Sequence, residues 1–347
     1  MHRELYKADD RVPRAPYARL WALAVVLFLA LAAGLEGFWR MQEFTPSVTD
    51  DEALWAYHRA RVDNAPPQTL VVLGRSRIQQ AFVPEVFQKA CPGWEYVQLA
   101  VGGKHPIGAL RDIADATEFA GVVLCSITAA SLLPELWEQQ AGYLDFYYQK
   151  WGPLRRNARL IKTKLQRHLA CMLPELLPQR VGPDLLRGAV PPQFLWTAPD
   201  RCQTVDYRKV DIDEFTQIQL QKITNNTQNY TSLDGYAAWP AGLARIEDMI
   251  ERIQDRGGHV VFLRAPTSGD YREVERRHFP RTRFWDVFAQ QSSALTLHFE
   301  DIPVMRDMVC AEGTHLHLED TGVFTRLLVR ELQQAGVLPA REQTAWR

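Results

Sequence analysis

Apolar positions along this chain fall into three patterns. The first is one long run: Leu20 to Leu35 carries no charge over sixteen residues, and Gly37, Phe38 and Trp39 extend it past Glu36. As a helix this stretch is long enough to span a bilayer. The second is a set of short, β-branched and leucine-rich runs: Thr69–Leu73, Tyr96–Ala100, Gly121–Ile127, His259–Arg264 and Leu297–Glu300. Runs this short, stopped by glycine, proline or charge, predict buried strands of a parallel sheet. The third pattern is helical spacing. It predicts helices over Asp51–Val62, Pro84–Ala90, Pro106–Glu118 (Ile107, Leu110, Ile113 and Ala114 on one face) and Ala237–Arg256. Further helices are expected at Tyr271–Arg277 and Phe284–Ser292, and over Leu318–Gln334 with Phe324, Leu327, Leu328 and Leu332 facing the core. Strand and helix alternating five times predicts a doubly wound α/β sheet with right-handed crossovers.

Charge orients the long run. Residues 1–19 carry Arg3, Lys7, Arg11, Arg14 and Arg19 against Glu4, Asp9 and Asp10, whereas residues 36–52 carry five acids and one base, Arg40. Trp21 and Phe38-Trp39 sit where interfacial aromatic residues belong. The positive-inside tendency then places residues 1–19 in the cytoplasm, makes 20–39 an uncleaved signal anchor, and exports everything beyond residue 40. A cleaved signal peptide is the rival reading, but no small-x-small cleavage site closes the run. Residues 40–68 form a membrane-proximal connector, and 69–130 with 235–340 make the α/β domain.

Between them, 131–234 break the alternation. Residues 131–170 are helical in composition, with Tyr143, Phe146, Tyr147, Tyr148 and Trp151 followed by a basic stretch from Lys150 to His168. Such a helix either presents a solvated basic face or lies on an anionic membrane surface. Pro174–Asn229, rich in Pro, Gln and Asn, is expected to be irregular.

Forty basic and 41 acidic side chains nearly cancel, with no polybasic tail, so nothing points to nucleic acid. Five scattered cysteines form no CxxC pair, which excludes the common zinc and thioredoxin-like motifs; a Cys171–Cys202 disulfide is conceivable outside the cytosol. No cofactor is expected. A metal site from Glu312, His315 and His317 is disfavoured, because His at i and i+2 suits a strand and this segment enters a helix.

The chemistry concentrates at strand ends. Ser76 follows the first strand at Gly74-Arg-Ser, where open α/β sheets place their ligands, although a serine there also caps helices. Ala311-Glu312-Gly-Thr-His315 precedes the last helix. A carboxylate three residues ahead of a histidine can orient the imidazole, which can then deprotonate a serine. The amides of Ser76 and of Gly103, after the second strand, are candidate oxyanion donors. His105, Arg264 and Ser268 lie at the same rim and are candidate substrate contacts.

Together Gly74-Arg-Ser76, Gly102-Gly103 and Glu312-Gly-Thr-His315 resemble the SGNH (GDSL-like) hydrolase superfamily, in its membrane-anchored bacterial envelope form. The resemblance implies a flavodoxin-like three-layer α/β/α sandwich, with Ser76 as nucleophile and His315 and Glu312 completing a triad. It also implies ester hydrolysis or acyl transfer on an envelope carbohydrate or lipid, in a single-pass inner-membrane protein with a periplasmic domain. Here Arg75 stands in place of the family's first-block aspartate and Glu312 in place of its last-block aspartate. Ser126 and Thr128 occupy the segment of its third-block asparagine. These departures keep a second expectation open, a non-catalytic scaffold or binding protein on the same fold.

Overall fold

The computed structural model describes residues 17–173, 192–232 and 235–340, with isolated positions between 174 and 191. The cytoplasmic assignment of residues 1–19 lies almost wholly outside them. Helix α1 (Tyr17–Met41) has a mean hydropathy of 2.2 over its most apolar window, and none of that window is buried in the protein. It is therefore long and apolar enough to cross a membrane. Its last turn is fixed to the body: Glu36 accepts the Ala170 and Cys171 amides at 3.1 and 2.9 Å, and Trp39 packs with Phe44, Ala170 and Leu173.

Helix α2 (Glu52–Val62), capped by the Asp51 carboxylate, leads into strand β1 (Thr69–Leu73). Then follow α3 (Ser76–Ala81), α4 (Pro84–Ala90), β2 (Glu95–Gln98), α5 (Ile107–Ala116) and β3 (Val122–Ser126). The intervening segment contains α6 (Pro153–Gln166), a hairpin of β4 (Leu195–Thr197) and β5 (Gln203–Val205), and α7 (Ile212–Ser232). The chain continues through α8 (Gly235–Gln254), β6 (His259–Arg264), α9 (Gly269–His278), α10 (Trp285–Gln291), β7 (Leu295–His298) and α11 (Leu318–Gln334). Five strands form one wholly parallel sheet in the order β2-β1-β3-β6-β7, which is the flavodoxin-like order 2-1-3-4-5.

Alternation along the strands sorts the core into two layers. Val71, Leu73, Val123, Cys125, Val260 and Phe262 face α5, α8 and α10, whereas Leu70, Val72, Val122, Leu124, Val261 and Leu263 face α3, α4 and α11. Both faces are covered, so the strands read as continuous apolar runs.

The segment between β3 and α8 is more ordered than its composition suggests. Helix α7 forms where an irregular stretch is expected, with the Asp211 carboxylate accepting the Asp213 and Glu214 amides at 3.1 Å. Arg201, buried, bonds Asp50 at 2.7 Å and the Gln98 and Ala100 carbonyls at 2.8 and 2.9 Å, which pins the hairpin over the end of β2. In the basic stretch, Arg159 is buried against Asp51 at 2.9 Å and Lys162 joins the same carboxylate at 3.0 Å, so two of its cations hold the connector. The five cysteines are all free, so there is no Cys171–Cys202 bridge.

Candidate active site

Ser76 is the first residue of α3, directly beyond β1. The chain leaves β1 toward one edge of the sheet, for β2, and then crosses to its other side for β3, so this is the topological switch point, where a crevice opens between diverging loops. The turn is tight because Gly74 lies against α3 and β3. A Cβ there would collide with Ile78 Cγ2 and meet Ser126 Cβ at 3.0 Å.

His315 arrives from the far end of the sequence in a small knot. Cys310 and Leu316 form an antiparallel bridge, and the Ala311 amide donates to the His315 carbonyl at 2.7 Å. Gly313 turns the loop at φ +87, with the Tyr271 Cβ 2.8 Å from where its own Cβ would be. Ser268 clasps this knot: its amide donates to the Gly313 carbonyl at 3.0 Å and its hydroxyl accepts the Cys310 amide at 2.9 Å. Ser268, a candidate substrate contact from its position after β6, is thus placed here as a brace of the loop that carries His315.

Within this frame His315 Nε2 lies 2.8 Å from Ser76 Oγ. Nδ1 is bonded to Glu312 Oε1, which also accepts the Thr314 hydroxyl. A carboxylate on Nδ1 places the proton there and leaves Nε2 as the acceptor for a serine hydroxyl. Glu312 is 1% exposed. Burial pushes its carboxyl up, but the bond and charge of His315 and the Thr314 hydroxyl outweigh burial and hold it below the ordinary carboxylate value. Tyr207, from the segment after β5, stacks on the imidazole with ring centroids 6.1 Å apart.

Ser76 and His315 open on a cavity of about 350 Å³. Gly103, Ser126, Thr128 and Arg264 line it, together with Arg75, Arg77, Gln219, Lys222, Tyr271 and Thr314. Arg264 is ion-paired with Glu275 and also bonds the Ala265 carbonyl, so its guanidinium is largely engaged by the protein. His105 departs from the rim position expected for it. It is 1% exposed, does not line the cavity, and bonds Ser131 Oγ through Nδ1 at 2.8 Å. Thr314, Tyr207, Arg77, Gln219 and Lys222 carry no sequence signal of their own. Only Arg77, next to Ser76, and Thr314, inside the Glu312–His315 block, were findable by proximity. No group of three or more His, Cys, Asp or Glu side chains suited to a metal occurs among the described residues.

No protein-family model matches the chain, and no curated protein does. A solved structure titled "Crystal Structure of TesA" is similar over 77% of this chain and 98% of that one, at 14% identity and a TM-score of 0.32. Fold and site together define a flavodoxin-order α/β protein with a Ser–His–Glu constellation at its switch point and an apolar N-terminal helix.

Proposed function

We propose that this protein is a membrane-anchored serine esterase or O-acyltransferase of SGNH type, acting on an ester of an envelope carbohydrate or lipid. The observation that carries the reading is the 2.8 Å contact of Ser76 Oγ with His315 Nε2, backed by Glu312 on Nδ1 and open to a cavity. In the reaction Ser76 Oγ attacks the acyl carbonyl carbon while its proton passes to Nε2. Negative charge gathers on the former carbonyl oxygen, and the amides of Ser76 and Gly103 serve as its donors. The intermediate collapses by breaking the bond to the alcohol oxygen, which takes the proton from His315. Water, or a sugar hydroxyl, is then deprotonated by His315 and attacks the acyl-serine, releasing acid or a new ester and restoring the Ser76 hydroxyl. Glu312 keeps the imidazole in the required tautomer and stabilises the imidazolium.

In this reading α1 crosses the inner membrane with residues 1–19 in the cytoplasm and the α/β domain in the periplasm. The basic flank before the apolar run and the acidic one after it support that orientation. A fluorophosphonate probe tests the chemistry. Labelling of the wild type that disappears in Ser76→Ala and drops sharply in His315→Ala is expected. Unlabelled, well-folded wild type would sink the enzyme reading and leave the scaffold. Periplasmic activity of a C-terminal alkaline phosphatase fusion tests the topology.

A further inference from the structure

The cavity before Ser76 has a one-signed wall. Arg75, Arg77, Lys222 and Arg264 line it, and no aspartate or glutamate among the described residues does. Arg264 is answered by Glu275, and Arg75 donates to the Gly103 carbonyl at 3.4 Å. Arg77 differs. Its Nη2 donates to the Tyr271 hydroxyl at 2.8 Å and its guanidinium lies 5.1 Å from the ring centroid, but Nη1 is buried with no hydrogen-bond partner. Lys222 reaches the same cavity from α7, exposed, in no ion pair among the described residues. An arginine held by an aromatic ring, together with a lysine in no ion pair, puts cationic charge on the lining of this cavity that no carboxylate of the lining answers. Low-dielectric walls of one sign also concentrate ligands of the other.

We infer that the substrate of this site carries an anionic group close to its ester, a carboxylate, phosphate or sulfate, held by Arg77 and Lys222. The inference rests on the esterase reading for the word substrate, but the anion site stands or falls separately. A neutral ester leaves two cations facing an uncharged ligand. An anion in hydrogen-bond reach gives them a charge-assisted partner.

The test uses the full-length protein in a neutral detergent. Inorganic phosphate, titrated against Ser76→Ala with sodium chloride as ionic-strength control, is expected to raise the thermal midpoint, and the rise should disappear in Ser76→Ala/Arg77→Gln. Lys222→Gln, an exposed change that leaves the core untouched, should weaken phosphate binding by roughly tenfold. With wild type, kcat/KM for mono-4-nitrophenyl succinate should exceed that for 4-nitrophenyl acetate by about tenfold or more if the charge sits on the acyl part. Acetylated glucose 1-phosphate against acetylated methyl glucoside asks the same of the alcohol part. The preference should collapse in Arg77→Gln/Lys222→Gln and return in part in Arg77→Lys. Phosphate binding without fluorophosphonate labelling would keep the anion site and remove the esterase. Labelling with no phosphate effect, or equal rates on charged and neutral esters of both kinds, overturns the inference and keeps the esterase.

Discussion

Two histidine–serine pairs stand among the described residues at the same separation, and they differ in what surrounds them. His315 Nε2 meets Ser76 Oγ at 2.8 Å, and His105 Nδ1 meets Ser131 Oγ at 2.8 Å. Behind His315 stands a carboxylate, and in front of it a cavity. His105 has neither: burial first, then the charges of Arg75 and Arg77, drive its ring well below the ordinary imidazole value, so it stays neutral. Ser131 is engaged in turn by the Thr128 amide at 3.0 Å, and its carbonyl accepts Trp137 Nε1 at 3.1 Å. The second pair ties the loop after β2 to the turn after β3. A histidine beside a serine is therefore a structural tie by default, and an orienting acid with access to solvent is what turns it into a candidate base and nucleophile.

The largest expected effect separates the pairs outright. Ser76→Ala or His315→Ala should lower kcat/KM on a 4-nitrophenyl ester by about 10⁴–10⁶, with circular dichroism unchanged; a loss below tenfold would remove the first pair from catalysis. Glu312→Gln should cost about 10³–10⁴, mostly in kcat, because the amide lets Nδ1 sit in the wrong tautomer. An unaffected kcat would mean that the acid only braces its loop. Ser131→Ala should leave the rate within a few-fold while costing about 1–2 kcal/mol in urea unfolding, since the Thr128 amide and the His105 ring each lose a partner. Collapse of activity in a stable Ser131→Ala protein would erase the contrast. The mildest test is pH.

His58 and His298 resemble His105: burial, reinforced by Arg201 and Arg61 for the first and by Arg264 and Arg281 for the second, pushes each down to about 3. Unfolded histidine titrates near 6.5. A base whose folded value is depressed takes up a proton on unfolding anywhere between the two values. Stability should therefore be complete above roughly pH 6.5 and decline toward pH 3, by up to about 1.4 kcal/mol per pH unit for each histidine. Equilibrium unfolding at pH 7, 6 and 5 measures the slope, and a flat profile would contradict the burial of these rings.

Local pattern carried much of the architecture. Helices 84–90 and 318–334 and strands 69–73 and 259–264 lie at the residues their patterning indicates, because each is decided by a buried face repeating within a few residues. Strand β2 stops two residues earlier than its apolar run and the last strand begins two residues earlier, since pairing with a neighbour, not composition, ends a strand. Helix α7 escaped notice because its Gln, Asn and Thr residues blur the periodicity that its Asp211 cap and its packing against α9 sustain.

The sequence by itself determined the alternation of elements, the apolar N-terminal helix and the three residue types at strand ends, all of them short-range properties of the chain. Tertiary structure alone decided which serine faces which histidine. Ser76 and His315 are 239 positions apart; Glu312 marks His315 locally, but only the sheet order, the Ser268 clasp and the burial of Glu312 put one ring at a cavity and the other in the core. The cationic wall arises the same way. Arg77 and Lys222 come from segments with no shared pattern, and only the folding of α7 over the switch point brings both to the lining of a single cavity.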